Sequence, residues 1–263
     1  MTTLVIRRTI IATILLLVTG FVAVVAHVSD ADAARLDPAL QKITGYKFGD
    51  SRQALTAVEK LISDSSGNTA ERLKLEKQFA SILTSDDATY DCKDFICRQL
   101  WVIGTEESVP ALKKLLLDEK LSDMARYALQ QNQSPMAGKA LRDALKKATG
   151  TMRVGIINTL GERRDGVSVD VLIGYIEKFA KMHEGKGGKH GGGEEGDHGD
   201  EEAMKVMHEA RDTAFAAVNA LAKIGGEKAA KALANARYMS CTKVRNAAKD
   251  ALLLWGDNLR KDD

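Results

Sequence analysis

The strongest constraint on this 263-residue chain is internal similarity. Three segments stack on one another: "CRQLWVIGTEESVPALKKLLLD" (97–118), "ARYALQQNQSPMAGKALRDALKKA" (125–148) and "VGIINTLGERRDGVSVDVLIGYIEK" (154–178). Two more follow, "AFAAVNALAKIGGEKAAKALANA" (214–236) and "VRNAAKDALLLWGDN" (244–258). Each opens with a small-and-apolar helical run and breaks at or near glycine. Most continue into a second helix of the "VPALKKLL" kind. The breaks fall at Gly104, about Ser134, Gly161, Gly225 and Gly256, giving spacings of 30, 27, 64 and 31. Pro110 and Pro135 stand where the first turns of second helices are expected, a position that tolerates a missing N–H. A hairpin of this kind cannot bury its apolar stripe alone, so neighbouring units must stack and share a core. Composition agrees: aromatics are 5% of the chain, there are three prolines, and no run alternates β-branched with polar residues. The expected fold is all-α, an α-solenoid of about five stacked helical hairpins.

The segments "CRQLWVIGTEESVPALKKLL", "INTLGERRDGVSVDVL" and "VRNAAKDALLLWGD" resemble the short HEAT-like repeats of bacteria, the class named after phycobilisome lyases. The resemblance covers roughly residues 90–258 and implies architecture rather than activity, because such repeats occur in scaffolds, regulators and a few enzymes. Residues 49–182 and 203–263 read as repeats, the first unit (49–85) being degenerate and capping.

The N-terminus places two arginines before an apolar run from Thr9 to Ala26, followed by small residues. That order is a secretory signal, cut after Ala26 or Ala33, or an uncleaved membrane anchor of about 18 residues. Residues 27–48 then read as a linker. Either way the body lies outside the cytosol, in the periplasm or secreted, and touches membrane only through the N-terminal segment. Removing residues 1–26 takes away two arginines and no acid, so the formal +2 becomes 0. A neutral body lacks the basic footprint of a nucleic-acid binder.

Export raises the question of disulfides. Cys92 and Cys97 are five apart, about 8.7 Å between α-carbons on a regular helix. A bridge needs less than about 7 Å, so they pair only if Cys92 lies in a frayed first turn. Cys241 is left over, as a buried thiol or a dimer link. Cys97 sits among Phe95, Ile96, Leu100 and Trp101 and reads as core, with no nucleophile setting.

The doubled spacing of 64 marks an insertion. Residues 183–202 hold eight glycines and seven acids, with two overlong helices flanking them. Such a loop cannot bury enough surface to order itself and reads as a solvated insertion. It also reads as a metal-capturing loop: His183, His190, His198 and His208, with Glu194, Glu195 and Asp197, offer imidazole and carboxylate ligands for Zn, Ni or Cu. Nothing there has the fixed spacing of a preformed site.

HEAT-repeat hydroxylases acting on deoxyhypusine hold two irons with His-Glu pairs, and this chain has His183-Glu184 and His208-Glu209. Both are misplaced. His208 precedes the closing Gly225 by seventeen residues, with Phe215-Ala216 in the expected place, and His183 falls in the loop. A lyase role rests on the repeat's name alone. The expectation is therefore a noncatalytic protein-binding scaffold of the cell envelope, the other reading being an envelope transition-metal binder. In HEAT hairpins second helices line the concave face, and lysines recur on them: Lys113, Lys114, Lys146, Lys147, Lys178, Lys181, Lys228 and Lys231. They read as a positive stripe for an acidic envelope protein, or as ordinary solvated surface. Tyr127, Tyr175, Tyr238 and Trp255 are the few aromatics expected to anchor a partner, and Trp101 is expected to pack inside.

Overall fold

A computed structural model describes residues 36–184 and 198–259; the side chains of residues 184, 198–200 and 257–259 lie outside that description. The apolar N-terminal run, the C-terminal tail and residues 185–197 therefore fall outside the described residues. Twelve α-helices and no strand occur among those that are described. They are α1 (Pro38–Ile43), α2 (Gln53–Asp64), α3 (Thr69–Leu83), α4 (Tyr90–Ile103), α5 (Val109–Leu115) and α6 (Ser122–Gln131). Then come α7 (Pro135–Leu145), α8 (Gly150–Glu162), α9 (Val169–Glu184), α10 (His198–Ile224), α11 (Glu227–Ala236) and α12 (Thr242–Leu259). No helix among the described residues is long and apolar enough to cross a membrane.

Local chemistry starts these helices. Asn68 and Thr89 cap α3 and α4 by accepting the amides of Glu71 and Cys92, each at 3.2 Å. Ser134 caps α7, with Pro135 at the first helical position where a missing N–H costs nothing. Pro110 stands likewise in the first turn of α5. In the stretch expected to be linker, Asp37 caps α1, whose Leu40 and Ile43 are wholly buried.

Packing sorts the helices into two rows. α4 packs on α6, α6 on α8, α8 on α10, and α10 on α12. Across from them α3 packs on α5, α5 on α7, and α9 on α11. Helices of the first row bury residues at steps of three and four: Cys92, Ile96 and Leu100; Ala125 and Leu129; Ile156, Ile157 and Leu160; Ala214, Ala217, Val218 and Leu221. Burying one such leucine stabilises by about 1.5–3 kcal/mol.

One expected break moves, and another does more than end a helix. Gly161 stands one residue before the end of α8, as expected, and a Cβ there would stand 2.7 Å from the α-carbon of Ala220. The glycine lets α8 and α10 approach closely. Beyond the helix, Arg164 takes the left-handed conformation (φ 51°) while Asp165 N–H donates to Leu160 O. Gly256 is the break that moves, since it lies within α12. The expected loop 183–202 is helical at both edges, since α9 reaches Glu184 and α10 starts at His198. Met204 in the early turns of α10 is 56% exposed, whereas Ala214, Val218 and Leu221 are buried, so the apolar line runs from a protruding end into the core.

Buried polar groups tie the units together. Glu76 of α3 is 1% exposed and accepts Thr105 N–H (2.6 Å), Ser108 N–H (3.0 Å) and the Thr105 hydroxyl (2.7 Å), closing the turn that leads into α5. Arg163 after α8 donates to the carbonyls of Leu129, Gln130, Asn132 and Ser134, satisfying the end of α6. Burial pushes its pKa below the usual guanidinium value.

Candidate functional site

Concave surfaces run along the first row of helices. A groove of about 820 Å³ lies between α8, α10 and α12. Its three walls each contribute an asparagine: Asn158, Asn219 and Asn246. None of these carboxamides forms a hydrogen bond with another described residue. At one end Trp255 and Leu254 line it, the indole N–H held by Ala222 O at 3.0 Å. Phe215 stands at the other end under the Lys243 ammonium, 4.7 Å from the ring centroid.

Charges in the groove are mostly matched internally. Lys223 pairs with Glu162, and Lys243 with Asp212 at 2.8 Å. Beyond Phe215 a second cleft of about 780 Å³ shares that ring and Lys243, and extends along α10 past His208 to Met204. Further along the row Trp101 and Tyr127 stack, centroids 5.6 Å apart and planes 14° apart. They are 38% and 41% exposed, so Trp101 is a surface ring and not the interior packing expected of it.

Each carboxamide offers a donor and an acceptor, the same pair that a peptide bond presents. Aromatic rings at either side add rigid contact area of the kind that dominates interface energetics. This arrangement can recognise a polypeptide without reacting with it. The described cysteines give no nucleophile in the groove. Cys92 and Cys97 are buried free thiols, and burial pushes them up to about 11 and about 12. Cys92 sits in a regular, capped first turn.

Of the residues expected to hold metal, only His183 and His208 have described side chains. His190, Glu194, Glu195 and Asp197 are outside the described residues, as is the side chain of His198. His183 ends α9, with its Nδ1 2.9 Å from Ser240 Oγ and its ring edge-on to Phe179. His208 lines the second cleft. Its neighbour Glu209 accepts Gly150 N–H and pairs with Arg153, both at 2.8 Å, and so closes the start of α8. Among the described residues no three His, Cys, Asp or Glu side chains gather as a metal-ligand group.

The eight lysines of the expected stripe are all exposed and sit on or beside the second-row helices α5, α7, α9 and α11. Three of them already have anions. Lys113 and Lys146 converge with Lys139 on Asp143, at 2.9, 3.3 and 3.0 Å, and these ammonium groups hold its carboxyl well below the usual range. Lys228 pairs with Asp170 at 2.9 Å. Lys114, Lys147, Lys178, Lys181 and Lys231 have no ion pair with a described residue. Sequence reasoning missed the asparagines, although a signal exists: Asn158 and Asn219 each stand two before a buried leucine, in "NTL" and "NAL".

No protein-family model matches the chain, and no curated protein matches it.

Proposed function

We propose that this chain is a noncatalytic scaffold of the cell envelope, an array of HEAT-like hairpins that binds a protein partner along the first row of helices. The carrying observation is the groove lined by Asn158, Asn219 and Asn246, three carboxamides with no hydrogen bond to another described residue, on three successive first-row helices flanked by Phe215 and Trp255. The alternation of contacts, in which most helices from α3 onward pack on the next but one, supports the stacked-hairpin reading. The apolar N-terminal run supports export. Internal pairing of Lys113, Lys146 and Lys228 makes the lysine row the weaker surface for an acidic partner.

The test is photocrosslinking in living cells, with p-benzoylphenylalanine placed at Asn158 or Asn219 and, on the other row, at Lys147. A discrete adduct from the groove positions, absent from Lys147, is the expected result. Adducts from Lys147 alone would return the function to the second row.

A further inference from the structure

A second surface lies at the corner where α11 turns into α12, distinct from the groove. A cleft of about 760 Å³ there is lined by Arg237, Tyr238, Arg245, Lys249, Leu252 and Leu253. Three of these side chains are cationic and none is acidic. None of the three forms an ion pair with a described carboxylate. The positions Arg245, Lys249, Leu252 and Leu253 follow helical steps of four, three and one, which puts them on one face of α12. Asn246, Asp250 and Leu254 belong to the groove on another face.

Two of the cations are held in place. Arg245 donates to Met239 O, Ser240 O and Thr242 Oγ1 at 3.1–3.2 Å. Arg237 lies over the Tyr238 ring, 4.6 Å from its centroid. Beside them the apolar tips protrude: Tyr238 is 75% exposed and Leu253 66%. Some exposed cations elsewhere are matched by acids, as at Asp143 and Asp170, and others, such as Lys147 and Lys178, have no ion pair with a described residue but do not line a cleft with exposed apolar side chains. Here no described carboxylate matches the positive charge, which adjoins an aromatic ring and a leucine that the described residues leave exposed.

We propose that this corner docks on an anionic phospholipid surface, with Arg237, Arg245 and Lys249 at the lipid phosphates and Tyr238 and Leu253 in the boundary between headgroups and acyl chains. A bilayer interface presents anions and apolar chains side by side over a flat area, and both halves of the patch then find their complement at once. A peptide of acidic residues without apolar neighbours would satisfy the cations alone. The contact is separate from any insertion of the N-terminal run.

The probe is the chain from His27 onward, which keeps every core residue from Leu40 to Ala251. It is mixed with vesicles of phosphatidylcholine alone or with phosphatidylglycerol added, and bound protein is measured by sedimentation. Binding is expected only to the anionic vesicles and should weaken as salt rises. The Arg237→Gln, Lys249→Gln double variant should bind about 30-fold more weakly, given the usual contribution of two juxtamembrane cations. Leu253→Ser should weaken binding about tenfold, from the apolar area it keeps out of water. Lys42→Gln, Lys77→Gln removes the same charge at the far end of the chain and should leave binding unchanged. Equal loss in that control, binding to neutral vesicles, or no vesicle binding would each overturn the proposal. Capture of soluble polyglutamate that Leu253→Ser leaves intact would overturn it in favour of an acidic peptide.

Discussion

Replacing Glu76 with leucine tests whether buried polar closures, and not apolar packing alone, hold successive units together. The side chain is 1% exposed and its two oxygens take three hydrogen bonds from the turn before α5. Leucine restores the volume but strands the Ser108 N–H, whose residue is wholly buried. An unmet buried donor costs about 1–3 kcal/mol, and the loss of hydrogen bonds to a charged acceptor at Thr105 adds about 1.5 kcal/mol or more. Relief of carboxylate desolvation offsets part of this, leaving a net loss of about 3 kcal/mol. For a folded body of this size that lowers Tm by about 6–12 °C. Glutamine distinguishes hydrogen bonding from charge. Both backbone donors go to the same oxygen, Oε1, so an amide oxygen there keeps them while its NH₂ faces the rotatable Thr105 hydroxyl. Glu76→Gln should therefore lose only about 1 kcal/mol, since a neutral acceptor is roughly half as strong. Urea unfolding followed by far-ultraviolet circular dichroism measures both variants. A leucine variant within about 1 kcal/mol of wild type, or a glutamine variant as unstable as leucine, would refute the reasoning.

Other perturbations follow from single contacts. Gly161→Ala drives a methyl to within 2.7 Å of Ala220 and should destabilise by about 1–3 kcal/mol by overpacking. Gly174→Ala, in α9 with nothing within 4 Å, should instead stabilise by about 0.5–1 kcal/mol; thermal melts of the pair read the contrast. Arg163→Met leaves the carbonyls at the end of α6 without their donor and should cost about 3 kcal/mol, whereas Arg164→Gly relieves the positive φ and should not destabilise; urea midpoints decide both. At pH 8 a thiol reagent should label Cys241 in the native protein and reach Cys92 and Cys97 only in denaturant, because burial raises those two to about 11 and about 12. Mass spectrometry counts the adducts, and native labelling of Cys97 at the same rate as Cys241 would contradict the burial.

Helix content was legible in the sequence because it rests on local chemistry. Periodic apolar positions, the prolines at 110 and 135, and capping residues such as Ser134 act within a turn or two of themselves. Glycine was the less reliable signal. Gly104, Gly161 and Gly225 stand at or beside helix ends as expected, but Gly161 also serves a contact with Ala220, 59 residues away, that no local pattern encodes, and Gly256 lies within α12. The left-handed residue after α8 is Arg164 and not a glycine.

The sequence by itself determined that this chain is helical, because a residue's preference for helix and its place on an apolar stripe are set by near neighbours. Tertiary structure decided which polar residues share a surface. Asn158, Asn219 and Asn246 are ordinary positions on three separate helices until α8, α10 and α12 pack side by side. Trp101 reads as interior from its own helix, yet it is a partly exposed ring whose stacking partner, Tyr127, comes from α6. The lysines, read as free charge, include three neutralised by Asp143 and Asp170, and only the packed helices set those distances. A groove or a charge balance depends on relative positions across the fold, and those are fixed by packing between helices rather than by any one of them.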